Sequence, residues 1–364
     1  MPADDRPACL VTGIVSPYRR EPFRLLAEAE NVEVIAHREA GPPVPGLTVH
    51  RSSQAGAVWL AGSGRYRAVI CGIDGRVALP GAYLAARARR IPFVLWATMW
   101  AHPTTAVHRL SHPPTRHIYR HADAVATYGP HVSRYVERER GRADGIAVAP
   151  QAVDVDHFAA PVPAAARTAW RERAGAADGE PLVLFVGRLV AEKGIATLIA
   201  AWRETSASVP RARLALAGDG PSKAVVERDL PGARLLGRVT ADELPALYAA
   251  ADLLVLPSVR TASFLEPWGL VVNEAMLQST PVLASDAVGA AAGGLVRDGR
   301  NGRVVPAGDA PALAAALGEL ASDADLRVRL GAAARVDAGA FTPAAWAAGM
   351  GDALALAGAG REPA

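Results

Sequence analysis

Two stretches in the second half of this chain place glycine, basic and acidic residues at spacings that suit anion and hydroxyl binding. The first is Phe185-Val186-Gly187-Arg188-Leu189-Val190-Ala191-Glu192-Lys193-Gly194-Ile195. An apolar run ends at Gly187, and Arg188 and Lys193 stand five residues apart just before a helical stretch. A helix N-terminus offers unpaired N–H groups and the positive end of its dipole. Two formal charges added at that edge would hold a diphosphate without a metal. A solvated basic pair at a strand end fits the same residues. The second stretch runs from Leu256 to Met276 and carries Glu266 and Glu274 with seven residues between them. Glu266 falls on a loop, and Glu274 about a turn inside a helix that begins near Gly269. They do not share a face as an acid/base pair does. Each carboxylate can accept hydrogen bonds from sugar hydroxyls, and the helix start between them can receive phosphate. An exposed helix charge and an exposed loop charge are the alternative.

Smaller signals surround these two. Leu216-Ala217-Gly218-Asp219-Gly220-Pro221 reads as a strand ending in a tight turn. The first strand of the chain runs into Thr12-Gly13-Ile14-Val15-Ser16-Pro17, which is neither the dinucleotide fingerprint G-x-G-x-x-G nor a P-loop. Tyr18, Arg19 and Arg20 follow and could reach an acidic or hydroxylated ligand, or form a solvated loop face. All nine histidines lie between His37 and His157. His108/His112 and His117/His121 have helical i, i+4 spacing, but thiol or carboxylate partners at zinc-ligand spacing are lacking, so no metal is expected. His102 stands apart, following the strand Pro92–Ala97 through Trp100, as a site residue or a loop histidine packed on that ring.

The elements that must position these residues form two series. Strands are expected at 8–15, 32–36, 47–51, 68–72, 92–97, 124–128 and 145–149, with helices at 21–30, 79–90, 107–120 and 132–140. Several strands are apolar almost throughout, which suits a parallel sheet covered on both faces. An Ala- and Pro-rich stretch, 159–180, reads as a linker with at most one short helix. The alternation then restarts, with strands at 182–186, 213–217, 234–236, 253–256, 281–284 and 303–305. Helices are expected at 195–205, 222–228, 241–250, 270–278, 310–321 and 325–338, with a last one from about 342. The expectation is α/β, with two Rossmann-like domains facing across a cleft at the carboxyl ends of their strands. The domains are 1–158 and 181–340, followed by a terminal segment, 341–364.

Composition agrees. The chain has 364 residues, 51% hydrophobic and 21% charged, which suits two globular domains and excludes a disordered chain. No apolar run is long enough for a transmembrane helix, and the polar start lacks the core of a secretory signal. Two cysteines, Cys9 and Cys71, make no disulfide framework and point to a reducing cytoplasm. Residues 1–160 carry 19 basic against 14 acidic side chains, a net +5, whereas 161–364 carry 20 against 22. This excess suits an acidic acceptor or peripheral contact with the inner membrane face, and is too scattered for nucleic acid. Only Lys193 and Lys223 among 39 basic residues are lysine, a skew that fits a GC-rich bacterial genome.

Taken together, Gly187-Arg188…Glu192-Lys193-Gly194, Gly218-Asp219-Gly220-Pro221, the Asp252–Ser258 strand and Glu266-x7-Glu274 resemble the retaining nucleotide-sugar glycosyltransferases of family four. The resemblance covers nearly the whole second half and extends weakly to Pro150-Gln151-Ala152-Val153-Asp154. It implies the GT-B architecture, with a last helix crossing back to the first domain. It implies donor contacts at Gly13, Gly187, Arg188, Lys193, Gly218, Arg238, Val239, Glu266, Gly269, Leu270, Val271 and Glu274. Arg188 and Lys193 would bind the diphosphate, Glu274 the ribose hydroxyls and Glu266 the donor sugar. Arg188, Lys193, Glu266 and His102 would be the catalytic set, and Tyr18, Arg19, Arg20, Trp100 and His102 would meet the acceptor. The implied activity is retaining transfer from a UDP- or GDP-linked sugar to a hydroxyl acceptor, in cell-surface glycan or secondary-metabolite synthesis. It implies no cofactor beyond that co-substrate and no obligatory metal. A catalytically silent GT-B partner, an NDP-sugar epimerase and a phosphorylase of similar fold are the alternatives. Trp268 stands where the family usually has Phe, and Gln151-Ala152 where it has Asn-Gly.

Overall fold

The computed structural model describes residues 5–359. It divides into two compact units, one running to Ala152 and resuming at Thr342, the other Val153–Phe341.

The first unit is built on β1 (Ala8–Ile14), β2 (Val32–Glu39), β3 (Val49–Arg51), β4 (Ala68–Gly72), β5 (Phe93–Ala97), β6 (Ala124–Thr127) and β7 (Ile146–Val148). Its helices are α1 (Arg20–Glu30), α2 (Gln54–Ala61), α3 (Ala78–Arg89), α4 (Ala106–His121) and α5 (Pro130–Arg140). The sheet is parallel throughout, in the order β3-β2-β1-β4-β5-β6-β7. Strand order reverses between β1 and β4, and helices joining parallel strands must cover both faces. Accordingly β4 and β5 are buried along their whole length.

The second unit repeats the plan. Its strands are β8 (Leu182–Val186), β9 (Arg213–Ala217), β10 (Arg234–Gly237), β11 (Leu253–Leu256), β12 (Val282–Ser285) and β13 (Gly302–Val305). Its helices are α6 (Val155–Ala159), α7 (Ala164–Arg173), α8 (Ile195–Ser208), α9 (Lys223–Asp229), α10 (Leu244–Ala250), α11 (Leu270–Leu277), α12 (Gly289–Ala292), α13 (Ala310–Ser322) and α14 (Ala324–Ala338). The parallel order β10-β9-β8-β11-β12-β13 is the 3-2-1-4-5-6 arrangement of dinucleotide-binding sheets. Its reversal point, between β8 and β11, is where such sheets open a crevice.

The stretch 159–180 is part of this second unit. Within it α7 packs on α10 and buries Trp170, while Arg171 bonds to Asp252 at 2.9 Å. The unit begins at Val153, ahead of residue 158, because the Asp154 side chain caps α6 and that short helix packs on α10 and α11. The last helix, α15 (Pro343–Ala359), belongs to the first unit and packs on α1, β5, β6 and β7. Its anchor is Trp346, fully buried, with ring centroids 5.4 Å from both Phe23 and Trp96. Truncating a tryptophan so placed costs about 3–5 kcal/mol.

Candidate functional site

The site is built at the carboxyl end of the second sheet. β8 is five apolar residues buried throughout, and the chain leaves it at Gly187. The Gly187 N–H still bonds to the Ala217 carbonyl at 2.9 Å, so the two loops leave the sheet side by side. Leu189 is fully buried and pins the first loop, its N–H donating to Asp219 O and its carbonyl accepting from Ser222 N–H. The loops lie so close that a Cβ on Gly218 would come within 1.9 Å of the Gly187 carbonyl oxygen. Gly218 also holds φ at 140°, and only glycine meets both demands.

Past this crossing a cavity of about 820 Å³ opens, lined by Gly187, Arg188, Gly218, Gly220, Arg238 and Val239 among others. Arg188 is mostly exposed and reaches Glu192 at 3.4 Å. Such a cation is held loosely and can turn to an anionic ligand. A three-residue 3-10 turn, Ala191–Lys193, carries the loop to Gly194, whose left-handed φ of 72° starts α8. A Cβ there would strike the Pro257 carbonyl oxygen at 1.8 Å, so the start of α8 is pressed against the end of β11.

That closeness brings the acidic stretch to the basic one. The Lys193 ammonium donates to Glu266 Oε2, which also accepts from Ser258 Oγ at 3.3 Å. Both partners are largely buried, with 13% and 9% of their side chains exposed. The Glu266 backbone is fixed too, since its carbonyl accepts from Gly289 N–H at 3.1 Å. Gly269 then turns the chain into α11, followed at once by Leu270 and Val271.

Glu274 lies further along α11. Tyr248 on α10 donates to its Oε2 at 2.6 Å. Burial pushes the Glu274 carboxyl up to about 7, against the Tyr248 hydrogen bond and the nearby His157, which favour the charged form. The structure thus brings five of the expected donor residues, Gly187, Arg188, Gly218, Arg238 and Val239, into one cavity wall. It joins Lys193 to Glu266 as a pair and sets Glu274 on Tyr248, which nothing in the sequence marks.

The first unit holds the remaining expected residues. Gly13 donates its N–H to Asp74 Oδ2 at 3.1 Å, and the same carboxylate receives His37 Nε2 and Arg38, each at 2.8 Å. Of the three residues after Pro17, Tyr18 is exposed while Arg19 is buried. The Arg19 guanidinium bonds to Tyr128 and Gln151 and stands 4.6 Å over the Trp96 ring. It therefore clamps the interior of this unit and is not a freely exposed cation, whereas Arg20 is half-buried at the start of α1. His102 lines a cavity of about 460 Å³ with Asp74, Arg76, Met99 and His108. Its Nε2 donates to the His108 carbonyl at 2.8 Å, its ring stacks on His112 at 4.2 Å, and burial lowers its pKa. Trp100 packs edge-on against His131. His117 and His121 stack on each other at 4.1 Å. Among the described residues no group of three or more His, Cys, Asp or Glu is placed to hold a metal ion. No described helix is long and apolar enough to cross a membrane.

The second unit can be compared with known proteins as a block, since residues 166–337 match the family model described as glycosyl transferases group 1. Residues 166–337 of this unit are thus of the group 1 glycosyl transferase type. It is 31% identical over 265 residues to the alpha-D-kanosaminyltransferase of Streptomyces kanamyceticus, covering 68% of this chain and 66% of that one. It is 36% identical over 232 residues to a GDP-mannose-dependent phosphatidylinositol monomannoside mannosyltransferase of Mycolicibacterium smegmatis, covering 60% and 58%. With the D-inositol 3-phosphate glycosyltransferase of Xylanimonas cellulosilytica the figures are 38% over 229 residues, 59% and 52%. The chain thus spans about half to two thirds of the length of these curated relatives.

The fold extends beyond the matched block. HepE of Anabaena, solved with UDP, superposes at a TM-score of 0.76 and 20% identity over 96% of this chain and 99% of that one. Sucrose-phosphate synthase of Thermosynechococcus elongatus does so at 0.73 and 22%, over 95% and 98%. The two Rossmann-like units of this chain therefore have the GT-B fold.

Proposed function

We propose that this chain is a retaining glycosyltransferase that moves a sugar from a UDP- or GDP-linked donor to a hydroxyl acceptor, in glycan or secondary-metabolite synthesis. The observation that supports it most is the cavity at the crossing of Gly187 and Gly218, with Arg188 and Arg238 in its wall. The backbone there is bare of side chains, and exposed guanidinium groups supply positive charge. That combination suits the diphosphate of a nucleotide. Val239 and Arg238 would flank the base, and Gly269, Leu270 and Val271 would approach the phosphate from the start of α11. Glu274 would receive the ribose hydroxyls, and Glu266 the hydroxyls of the donor sugar.

In this reading the chemistry is cleavage of the bond between the anomeric carbon and the β-phosphate oxygen. Negative charge grows on that oxygen as the bond breaks. Arg188 and Lys193 would stabilise it, and Lys193, already held by Glu266, needs little reorganisation. The acceptor hydroxyl attacks from the same face and passes its proton to the leaving phosphate, which preserves the anomeric configuration. His102 and Trp100 of the first unit would meet the acceptor, with Tyr18 and Arg20 as further contacts. The first unit's basic excess keeps an acidic or lipid-linked acceptor, and peripheral membrane contact, within the proposal.

The test is to incubate the protein with UDP- and GDP-sugars and a panel of polyol, aminocyclitol and lipid-linked acceptors, measuring free nucleotide and glycosylated product. Acceptor-dependent release of one nucleotide, lost in Glu266→Gln, supports transfer. Conversion of the donor to an isomer without acceptor would support an epimerase, and binding without turnover a silent partner.

A further inference from the structure

We infer that Tyr248 is the positioning residue for Glu274, fixing which carboxylate oxygen faces the ribose of a bound nucleotide. The inference rests on the proposed contact between Glu274 and the ribose hydroxyls. It starts from a difference in how the two carboxylates are held. Glu266 is gripped by Lys193 and Ser258, whereas the hydrogen bond that holds the Glu274 carboxylate comes from a phenol.

Tyr248 is fully buried and cannot follow a wandering carboxylate. Its backbone carbonyl accepts from Thr280 Oγ1 at 2.8 Å, and its ring lies 6.4 Å from Phe158. Thr280 lies just beyond α11, so the tyrosine is tied to α11 through its phenol and to the chain after α11 through its carbonyl. The phenol takes Oε2 at 2.6 Å. A carboxylate with one oxygen committed cannot rotate without losing that bond, so Oε1 is presented in one direction. A vicinal diol needs such an acceptor, because two hydroxyls donate well only to a fixed oxygen.

The surroundings leave this task to Tyr248. The groups acting electrostatically on Glu274 are Tyr248 on α10 and His157 on α6. His157 Nε2 is bonded to the Ala241 carbonyl at 3.1 Å. Arg335 on α14, a helix that also packs on α11, is committed to the carbonyls of Leu277 and Ala159. The phenol's hydrogen bond also favours the charged carboxylate, so its loss raises the pH at which Glu274 ionises.

The experiment is calorimetric titration of the intact chain with the tightest binder among UDP, GDP and ADP and with its 2′-deoxy counterpart. The wild type is expected to prefer the ribonucleotide by about tenfold. Glu274→Gln should erase that preference. Tyr248→Phe should weaken ribonucleotide binding about fivefold, leave the deoxynucleotide unchanged, and move the pH midpoint of binding upward. Thr280→Val, which keeps the phenol and loosens its anchor, should shrink the preference in the same direction. A Glu274→Gln protein with the wild-type preference overturns the ribose contact and the inference with it. Loss of preference in Glu274→Gln, with wild-type preference and pH midpoint in both Tyr248→Phe and Thr280→Val, overturns the positioning role alone. A purely structural tyrosine would weaken both nucleotides equally, and that result also overturns it.

Discussion

Lys193 and Glu266, 73 residues apart in sequence, form a largely buried ion pair that ties the turn after β8 to the loop before α11. The pair places an ammonium and a carboxylate beside the loops that wall the cavity, and the fold holds it from both sides. Val259 N–H donates to the Glu192 carbonyl at 2.9 Å, next to the lysine.

Breaking this pair separates stability from chemistry. Lys193→Ala takes the ammonium away from a buried carboxylate and should lower stability by about 3 kcal/mol. Combining Lys193→Met with Glu266→Gln removes both charges and should recover most of the melting temperature. Transfer should remain at least a hundredfold below wild type in the double variant. Recovery of activity along with stability would mean that the pair only braces the loops.

Gly218 offers a test of the cavity wall. Gly218→Ala forces a Cβ into the Gly187 carbonyl oxygen and strains a φ of 140°. The loop must move, at a cost of about 1–3 kcal/mol. Nucleotide affinity should fall more than tenfold, while Gly232→Ala, which meets nothing within 4 Å, should bind as wild type.

The pH dependence follows from Glu274, whose carboxyl ionises near 7 in the folded chain. Nucleotide binding through a charged carboxylate should strengthen as pH rises from 6 to 8. Stability runs the other way. A carboxyl with a raised folded pKa keeps its proton longer when folded, so stability declines as pH rises from its unfolded value towards 7. Glu274→Gln should therefore melt above wild type at pH 8 and close to it at pH 5. Equal melting temperatures at both pH values would show that Glu274 is not desolvated.

Asp337 gives the opposite sign. Hydrogen bonds from Arg300 first, then Asn301 and Arg297, hold its carboxyl down at about 2. This stabilisation is present above an unfolded pKa of about 3.9 and lost as pH falls towards 2. Asp337→Asn should cost about 2 kcal/mol at pH 7. The difference from wild type should vanish in melts near pH 2, and a constant gap would contradict it.

Much of the fold was legible because the strands are unmixed apolar runs. β8, β9 and β11 stand out from their flanks, and parallel sheets bury such runs on both faces. Helices lacking a polar face were less legible. α2, Gln54–Ala61, is mostly apolar and shows no 3.6-residue alternation, and α7 hides in an Ala- and Pro-rich stretch until Trp170 is seen buried. Arg188, Lys193, Glu266 and Glu274 were legible as residue types at loop and helix starts. That Lys193 reaches Glu266 was not, because the pairing depends on β8 lying beside β11. Tyr248 was invisible for the same reason, on an Ala/Leu-rich helix whose neighbour in space comes from a later turn. Arg19 shows the converse, since a basic residue in a loop looks solvated until the rings around it are known.

The most direct measurement is calorimetry of UDP, GDP, ADP and dTDP against the wild type and Arg188→Ala. Selective binding of one nucleotide, weakened about tenfold or more by the substitution, is the predicted result. Failure of all four to bind, or binding indifferent to Arg188, would contradict a diphosphate site at the Gly187–Gly218 crossing.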